Sequence, residues 1–165
     1  MISVDTYAST NPALCSLILW SFLKGVEEVT NNGCEFPILF LPIPFALSKQ
    51  IRETFDGTDN STGLLTWLSR EPQILINLAK SIEASNAITK DGLIFGYVNK
   101  IIRIDKNGQF YSDNQGLVQK RLREFLNIKG GEDLKSAFVI AKRFGNWCGQ
   151  LENTKIIFNV MGLSL

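Results

Sequence analysis

The side chains of this 165-residue chain that could do chemistry unaided are few, because the chain contains no histidine. Histidine is the commonest general base, a frequent zinc or iron ligand, and the partner that activates serine and cysteine nucleophiles. Carboxylate, lysine and thiolate chemistry remain, each without its usual companion. No pair of carboxylates stands out as an acid–base couple. The sequence therefore predicts neither a catalytic residue nor an enzyme of a common hydrolytic or metal-dependent type.

The three cysteines, Cys15, Cys34 and Cys148, are widely spaced and form no Cys-x-x-Cys motif. This spacing disfavours a zinc site or a redox-active pair. Cys15 lies within an apolar segment, where a thiol usually behaves as a small hydrophobic side chain. We therefore expect it in the core.

Two loops superficially resemble ligand sites. Asp56, Asp59 and Asn60 lie in a short Asp-Gly-Thr-Asp-Asn loop, which lacks the remaining ligands and the final glutamate of a calcium-binding loop. Gly130–Gly131 precedes a predicted helix but lacks the lysine and hydroxyl of a phosphate-binding loop. We interpret the first as a surface loop and the second as a helix break, and we expect no metal and no cofactor.

Cationic side chains are the remaining candidates for contact with a partner. They form two groups, Lys100, Arg103 and Lys106 in the first and Lys120, Arg121 and Arg123 in the second. Lysine and arginine can contact phosphates of DNA or an acidic protein surface. The net charge of +1 argues against dominant nonspecific binding of nucleic acid. Because Asp105 and Glu124 lie beside the cations, an ordinary solvated surface is an open alternative.

A strongly apolar helix must be the centre of the fold. Asn11 and Pro12 form a helix-start signal, and the segment up to Val26 is apolar on more than one face. Such a helix is buried nearly all round. The segment is too short to span a bilayer well.

Prolines and helical periodicity predict the other helices. Three prolines between Pro37 and Pro44 break any long helix, so we expect a short turn from Pro37 and a helix over Pro44–Thr54. Thr62 is the predicted cap of the next helix. Further helices are predicted at Gly63–Ser69, Pro72–Ala84, Lys90–Lys100, Leu117–Leu126, Glu132–Leu151 and Thr154–Met161. The last segment could alternatively be a strand, since it is rich in β-branched residues.

Helical spacing also predicts which residues share a face of these helices. Thr89 is the predicted cap of the helix over Lys90–Lys100, and the apolar residues on one face of that helix are Ile94, Tyr97, Val98 and Ile101. In the helix over Leu117–Leu126, the residues expected to face inward are Leu117, Leu122, Phe125 and Leu126. One stripe of the helix over Glu132–Leu151 comprises Leu134, Phe138, Ala141, Gly145 and Cys148. Because Gly145 lies in that stripe, we expect a close helix crossing there.

A β-hairpin is the sharpest local signal. The β-branched run at Ile101–Asp105 is followed by Asn107–Gly108 and by the aromatic segment Gln109–Ser112, a pattern typical of a hairpin. Two helices followed by a hairpin is the order of a winged helix. We therefore predict a mainly α fold with a minor β component.

The chain is expected to form a single domain over 1–165. Its helical core would comprise 11–70 and 114–165, and its winged-helix-like segment, with the hairpin as the wing, would comprise 72–113. Residues 1–10, predicted to be an irregular lead-in, lack the basic and apolar regions of a signal peptide. We therefore expect a cytoplasmic protein with no membrane contact.

Six short stretches, taken in order, carry a resemblance to a known family. They are Asn11–Leu14, Phe36–Pro42, Leu64–Leu68, Gly92–Gly96, Phe144–Trp147 and Met161–Ser164. Together they resemble the middle component of three-component ABC ATPase systems, the bacterial conflict systems that include the Lamassu and related phage- and plasmid-defence operons.

The resemblance implies a non-enzymatic subunit that bridges an SMC/Rad50-like ABC ATPase and an effector, often a nuclease. The resemblance also implies that the ATPase senses foreign or abnormal DNA. The middle component would help hold the effector inactive until a rearrangement of the ATPase releases it. The proline-rich stretch and the C-terminal helices would then dock partners. The candidate docking residues are Phe36, Phe40, Phe45, Trp147 and Phe158.

Two other functions remain open from the sequence. A stand-alone winged-helix DNA-binding regulator predicts sequence-specific binding by the isolated chain, and the near-neutral charge counts against it. A small enzyme that uses carboxylates or a thiolate predicts turnover by the isolated chain, and the lack of histidine counts against that.

Overall fold

The computed structural model describes residues 11–127, 131–151 and 153–164. The predicted lead-in over residues 1–10 and the glycine at 130 lie outside these residues. The helices are α1 Pro12–Glu27, α2 Pro42–Leu47, α3 Lys49–Glu53, α4 Leu64–Arg70, α5 Leu78–Val98, α6 Gln115–Leu126, α7 Gly131–Gly149 and α8 Thr154–Val160. Two 3₁₀ turns at Phe36–Phe40 and Pro72–Leu75 and a hairpin of β1 Ile102–Ile104 and β2 Phe110–Ser112 complete the described elements. The prediction of a mainly α fold with a minor β component is confirmed.

Helix α1 is the central element, as its composition predicts. The Asn11 side chain accepts a hydrogen bond from the Leu14 backbone N–H at 3.2 Å, and Pro12 occupies the first helical position. Every residue from Leu14 to Leu23 is buried. A helix enclosed on all sides needs neighbours on several faces, and α7, α5, α2 and the hairpin supply them.

Glycines permit the closest of these crossings, between α1 and α7. A Cβ atom at Gly25 would lie 1.9 Å from the Lys142 carbonyl oxygen, and one at Gly145 would lie 2.0 Å from the Phe22 carbonyl oxygen. Both distances are far below van der Waals contact, so only glycine fits at either position. Gly145 was expected from the sequence to mark a close crossing, and this expectation is confirmed.

Helix α5 crosses α1 on another face through small side chains. Ser85, Thr89, Gly92 and Gly96 are buried and recur at helical spacing. A Cβ at Gly92 would lie 2.7 Å from the Cβ of Cys15. The two helices can approach each other closely because this stripe carries almost no side-chain volume.

The sequence-based prediction of two helices over Pro72–Ala84 and Lys90–Lys100 is wrong. Pro72–Leu75 is a separate 3₁₀ turn, and Leu78–Val98 is one uninterrupted helix. Thr89, expected to be a helix cap, is an interior residue of α5 and faces the core. Since a single long helix now precedes the hairpin, the helix pair on which the winged-helix interpretation depended is absent from segment 72–113.

The proline-rich stretch divides into shorter elements than expected. The predicted helix over Pro44–Thr54 is two helices, α2 and α3, that meet at Ser48, whose side chain accepts from the Ile51 N–H. Arg52 is buried and donates to the carbonyls of Ala46 and Leu47 at 2.9 Å each, which satisfies the end of α2. The same guanidinium lies 3.6 Å from the Asp133 carboxylate on α7.

The loop between α3 and α4 is fastened to α7. Trp147 Nε1 donates to the Asp59 carbonyl at 2.9 Å, and Arg143 donates to the Thr58 hydroxyl at 3.1 Å. Asp59 forms a local turn by accepting from the N–H groups of Ser61 and Thr62. Thr62 therefore belongs to this turn, and α4 begins after Gly63 without a side-chain cap, which corrects the cap prediction.

The hairpin forms as predicted. Its strands are antiparallel with Arg103 opposite Tyr111, and Ile102 is buried on the other face. Glu27 at the end of α1 accepts from both the N–H and the hydroxyl of Ser112, at 2.7 Å and 2.5 Å. The hairpin is thus joined to the central helix by a charged side chain.

The C-terminal helices lie close to their predicted positions. The stripe predicted on α7, Leu134, Phe138, Ala141, Gly145 and Cys148, is buried throughout. The last segment is the helix α8, not a strand, and it begins with Asn153 accepting from the Ile156 N–H. On α6, Val118 is fully buried, whereas Leu117, predicted to face inward, is exposed.

Candidate partner-docking surfaces

Phe45 and Trp147, two of the expected docking residues, lie in the aromatic core. They are 1% and 0% exposed. The ring centroids of Phe45 and Phe144 are 4.7 Å apart in an edge-to-face pair, and Trp147 stacks on Phe55 at 5.1 Å. The docking expectation is corrected for these two residues, because their side chains have no surface for a partner. A sequence pattern of apolar residues around prolines and glycines does not show whether a side chain is buried in the core or exposed at an interface.

Phe36 and Phe40 are the first and last residues of the first 3₁₀ turn. Phe36 is 46% exposed, whereas Phe40 is partly buried. Their rings meet edge to face at 5.1 Å, and Phe36 also stacks on Phe110 of the hairpin at 5.8 Å. The exposed ring is therefore held in a fixed orientation by two neighbours.

Phe158 lies on α8 and is partly buried against the core. Ile157 and Met161 of the same region are buried and anchor it. The Phe158 carbonyl accepts from the Leu163 N–H at 2.9 Å, which closes the helix end beside Gly162. The Phe158 ring therefore lies on a short helix that is anchored in the core.

The cations of the hairpin are held by their neighbours to different degrees. The Arg103 guanidinium lies 4.3 Å from the centre of the Tyr111 ring. Lys106 is exposed in the turn, and Lys100, just before β1, has a left-handed backbone with a φ of 57°. Backbone N–H groups of Gln109 and Asn107 donate to Asp105, and with the nearby Arg103 charge they lower the pKa of that carboxyl.

The cations of α6 lie on its exposed side. Arg121 pairs with Glu124 at 3.5 Å, and both are more than half exposed. Lys120 and Arg123 are exposed and form no ion pair within the described residues. Since only Val118 of this helix is fully buried, α6 lies on the body of the protein with much of its surface uncovered.

A groove of about 330 Å³ runs between the start of α1, the end of α5 and α6; we call it the α6 groove. Its lining includes Leu17, Phe95, Asn99, Ile101, Leu117 and Arg121. A second cavity of about 430 Å³ lies beside the hairpin turn, near Asp105, Asn107 and Tyr111. Of the α6 cations, Arg121 lines the first, and Asp105 and Asn107 of the hairpin turn line the second. Lys100 lies in the chain between Asn99 and Ile101, which both line the α6 groove.

The sequence did not indicate the exposed apolar surface beside the α6 groove. Ile94, Tyr97 and Val98 were predicted to form one apolar face of a helix with Ile101, but Ile101 is buried and they are 64%, 58% and 70% exposed. Helix α5 instead buries its stripe of small residues against α1. Two glycines four residues apart, Gly92 and Gly96, were the available signal, because close helix crossings favour small side chains over large ones.

The three thiols lie in the protein interior. Burial, with a contribution from the Asp91 charge, raises the pKa of Cys15 to about 11. Burial likewise raises the pKa values of Cys34 and Cys148.

Within the described residues, no three or more cysteine or carboxylate side chains are grouped so that they could hold a metal ion. None of the described helices is both long and apolar enough to cross a membrane.

Comparison with known protein families matches residues 2–165 to the family described as ABC-three component (ABC-3C) system Middle Component 3. No match was found among curated proteins or among solved structures. The match covers nearly the whole chain, including every element described above. The helical protein with its uncovered α6 and its exposed apolar surfaces therefore belongs to the Middle Component 3 family of ABC-three component systems.

Proposed function

We propose that this chain is a non-enzymatic accessory subunit that bridges an SMC/Rad50-like ABC ATPase and a nuclease effector in a bacterial defence complex of the Lamassu type. The observation that carries the proposal is the family match over residues 2–165, since a middle component belongs to a system with other components. In this role the subunit restrains the effector until the ATPase has sensed foreign DNA, and it works in the cytoplasm.

The distribution of exposed apolar side chains supports a subunit with two partners. The Phe36–Phe40 turn and Phe158 of α8 present aromatic surface beside the hairpin cavity and at the C-terminal end. The α6 groove presents apolar surface elsewhere. Exposed apolar patches are typical of interaction sites, and two separate ones suit a bridge.

The cations supply the second type of contact. Arg103 and Lys106 on the hairpin and Arg123 on α6 are exposed, and they can contact DNA phosphates or an acidic partner surface. Arg121 is a weaker candidate because Glu124 already neutralises part of its charge.

Co-purification tests the bridging function directly. The tagged chain is expressed with the ATPase and effector genes of its own operon, and the mass of the isolated particle is measured. We expect one particle that contains all three proteins. When this chain is left out, the ATPase and the effector should not assemble fully with each other. A lone monomer or dimer that binds a specific DNA sequence would instead support the regulator and contradict the proposal.

Charge reversal then tests the contact residues. Replacing Arg103, Lys106, Arg121 and Arg123 together by glutamate should weaken assembly or retention on DNA while the circular dichroism spectrum stays unchanged. Replacing Lys49, Lys80 and Lys135, exposed cations on other elements, is the matched control. Equal assembly and equal DNA retention by the wild type and the fourfold variant would remove these residues from the proposed contact.

A further inference from the structure

The α6 groove continues into an exposed apolar strip on α5. Phe95 lines the groove, and Val98 lies three residues after it and four residues after Ile94 on the same helix. Residues at this spacing are neighbours on a helix surface. Because Ile94 and Val98 are 64% and 70% exposed, the groove and the strip together form one apolar surface.

Two lysines lie next to this surface. Lys100 lies in the chain between Asn99 and Ile101 of the groove lining. Lys120 lies three residues after Leu117 and four before Glu124, which both line the groove, and residues at this spacing are neighbours on a helix surface. The single acidic residue in the groove lining, Glu124, pairs with Arg121. Lys100 and Lys120 form no ion pair among the described residues, so cations outnumber the single carboxylate at this groove.

We propose that the α6 groove binds an acidic amphipathic helix that belongs to the ATPase or to the effector. An apolar floor with a charged rim fits a helix whose anchoring side chains enter the groove and whose acidic residues meet the lysines. DNA fits less well, because phosphates would satisfy the lysines but leave Ile94, Val98 and Leu117 uncovered. This inference rests on the proposed function, since it assigns one of its two docking surfaces.

Two groove variants test the assignment in the complete three-protein complex. Ile94→Ser with Val98→Ser removes the apolar strip, and Lys100→Glu with Lys120→Glu reverses the rim charge. All four side chains are exposed, so both variants should fold. Leu65→Ser with Ile76→Ser is the matched control, because these apolar residues are 55% and 70% exposed and line no part of the groove.

We expect each groove variant to weaken assembly by roughly tenfold or more, and the control to assemble like the wild type. The loss caused by the lysine reversals should shrink as salt concentration rises, because screening weakens interactions between exposed charges. Affinity is measured by titrating the purified chain into the partner that it binds. A groove variant that assembles as well as the wild type would overturn the groove assignment.

A photo-crosslinking amino acid at position 98 then identifies the occupant. We expect the crosslink to reach a segment of the ATPase or effector in which acidic residues alternate with apolar ones at helical spacing. Reversing those acidic residues to lysine should restore binding to the Lys100→Glu, Lys120→Glu variant. A crosslink to DNA, to a second copy of this chain or to a basic segment would overturn the proposal.

The outcomes separate this inference from the proposed function. If the wild-type complex assembles and the groove variants assemble equally well, only the groove assignment fails. If the wild-type chain assembles with neither partner, the bridging function and the groove assignment fail together.

Discussion

At the residue scale, the closest helix crossing depends on glycines, which have no side chain. Gly25 and Gly145 allow the backbones of α1 and α7 to touch, and at either position a methyl group would overlap a carbonyl oxygen of the other helix. Backbone cannot move aside as a flexible side chain can. The tolerance of this protein to substitution should therefore be lowest at its smallest residues.

Gly145→Ala should destabilise the protein by about 2–3 kcal/mol, since overpacking forces the crossing helices apart. Gly116→Ala on α6 is the matched control, because nothing lies within 4 Å of its added Cβ. The control should be neutral or stabilising by up to about 1 kcal/mol, as alanine favours helix more than glycine does. Urea unfolding of the two variants measures both values, and equal stability would show that α1 and α7 can separate without cost.

Thr89 carries a hydroxyl that the fold leaves unsatisfied. Its side chain is buried in α5, and among the described residues its Oγ1 has no hydrogen-bond partner. Burying a hydroxyl without a partner costs free energy. Thr89→Val keeps the shape and removes the polar atom, so it should stabilise the protein by about 1 kcal/mol.

Thermal unfolding measures the effect of Thr89→Val. Ser85→Ala serves as the comparison and should not stabilise the protein, because the Ser85 hydroxyl donates a hydrogen bond to the Ile82 carbonyl at 3.1 Å. A loss of stability in Thr89→Val would mean that the hydroxyl has an unseen partner, such as a water molecule.

At the element scale, the hairpin turn depends on the charge of one carboxylate. Asp105 accepts from the N–H groups of Asn107 and Gln109 at 2.8 and 2.9 Å. These bonds and the Arg103 charge lower its pKa. A group whose pKa is lowered by folding contributes stability above its unfolded pKa of about 3.9 and loses it as the pH falls through the folded pKa.

The turn should therefore stay intact from neutral pH down to about pH 4 and loosen only below that value. The amide proton shifts of Asn107 and Gln109, followed by NMR from pH 7 to pH 2, report this titration. Asp105→Asn should remove the pH dependence of both shifts. A titration midpoint above that of an ordinary aspartate would contradict the assigned hydrogen bonds.

At the scale of the whole molecule, the three cysteines report on a single core. Cys15 on α1, Cys34 before the first 3₁₀ turn and Cys148 on α7 are each less than 5% exposed. They belong to one continuous cluster of buried residues. Because thiolate is the reactive form and burial raises all three pKa values, no thiol should react while the core is closed.

We expect a thiol reagent such as dithionitrobenzoate to label the native chain at least about a hundredfold more slowly than the urea-unfolded chain. Mass spectrometry should find the three cysteines labelled at similar rates, since all become accessible when the core opens. Fast labelling of Cys148 alone would indicate that the C-terminal helices open separately. Such a result would also suggest that they move when a partner docks.

The sequence by itself determined the elements whose signals are local. The cap at Asn11, the Asn-Gly turn of the hairpin and the all-round apolarity of α1 each act within a few residues, and each was predicted correctly. The buried stripe of α7 followed from helical spacing in the same way. The order of short apolar stretches also indicated the family. The match over residues 2–165 confirms that the chain is a middle component of an ABC-three component system.

Only the tertiary structure decided which apolar surfaces remain outside. Periodicity grouped Ile94, Tyr97 and Val98 on one face with Ile101, and the family resemblance led to the proposal of Phe45 and Trp147 as docking residues. The packing exposes the first three and buries the last two. The reason is physical: α5 gains more by bringing its glycine and hydroxyl stripe into close contact with α1 than by burying its larger side chains. That choice depends on the shape of a distant helix, which no local window of sequence contains.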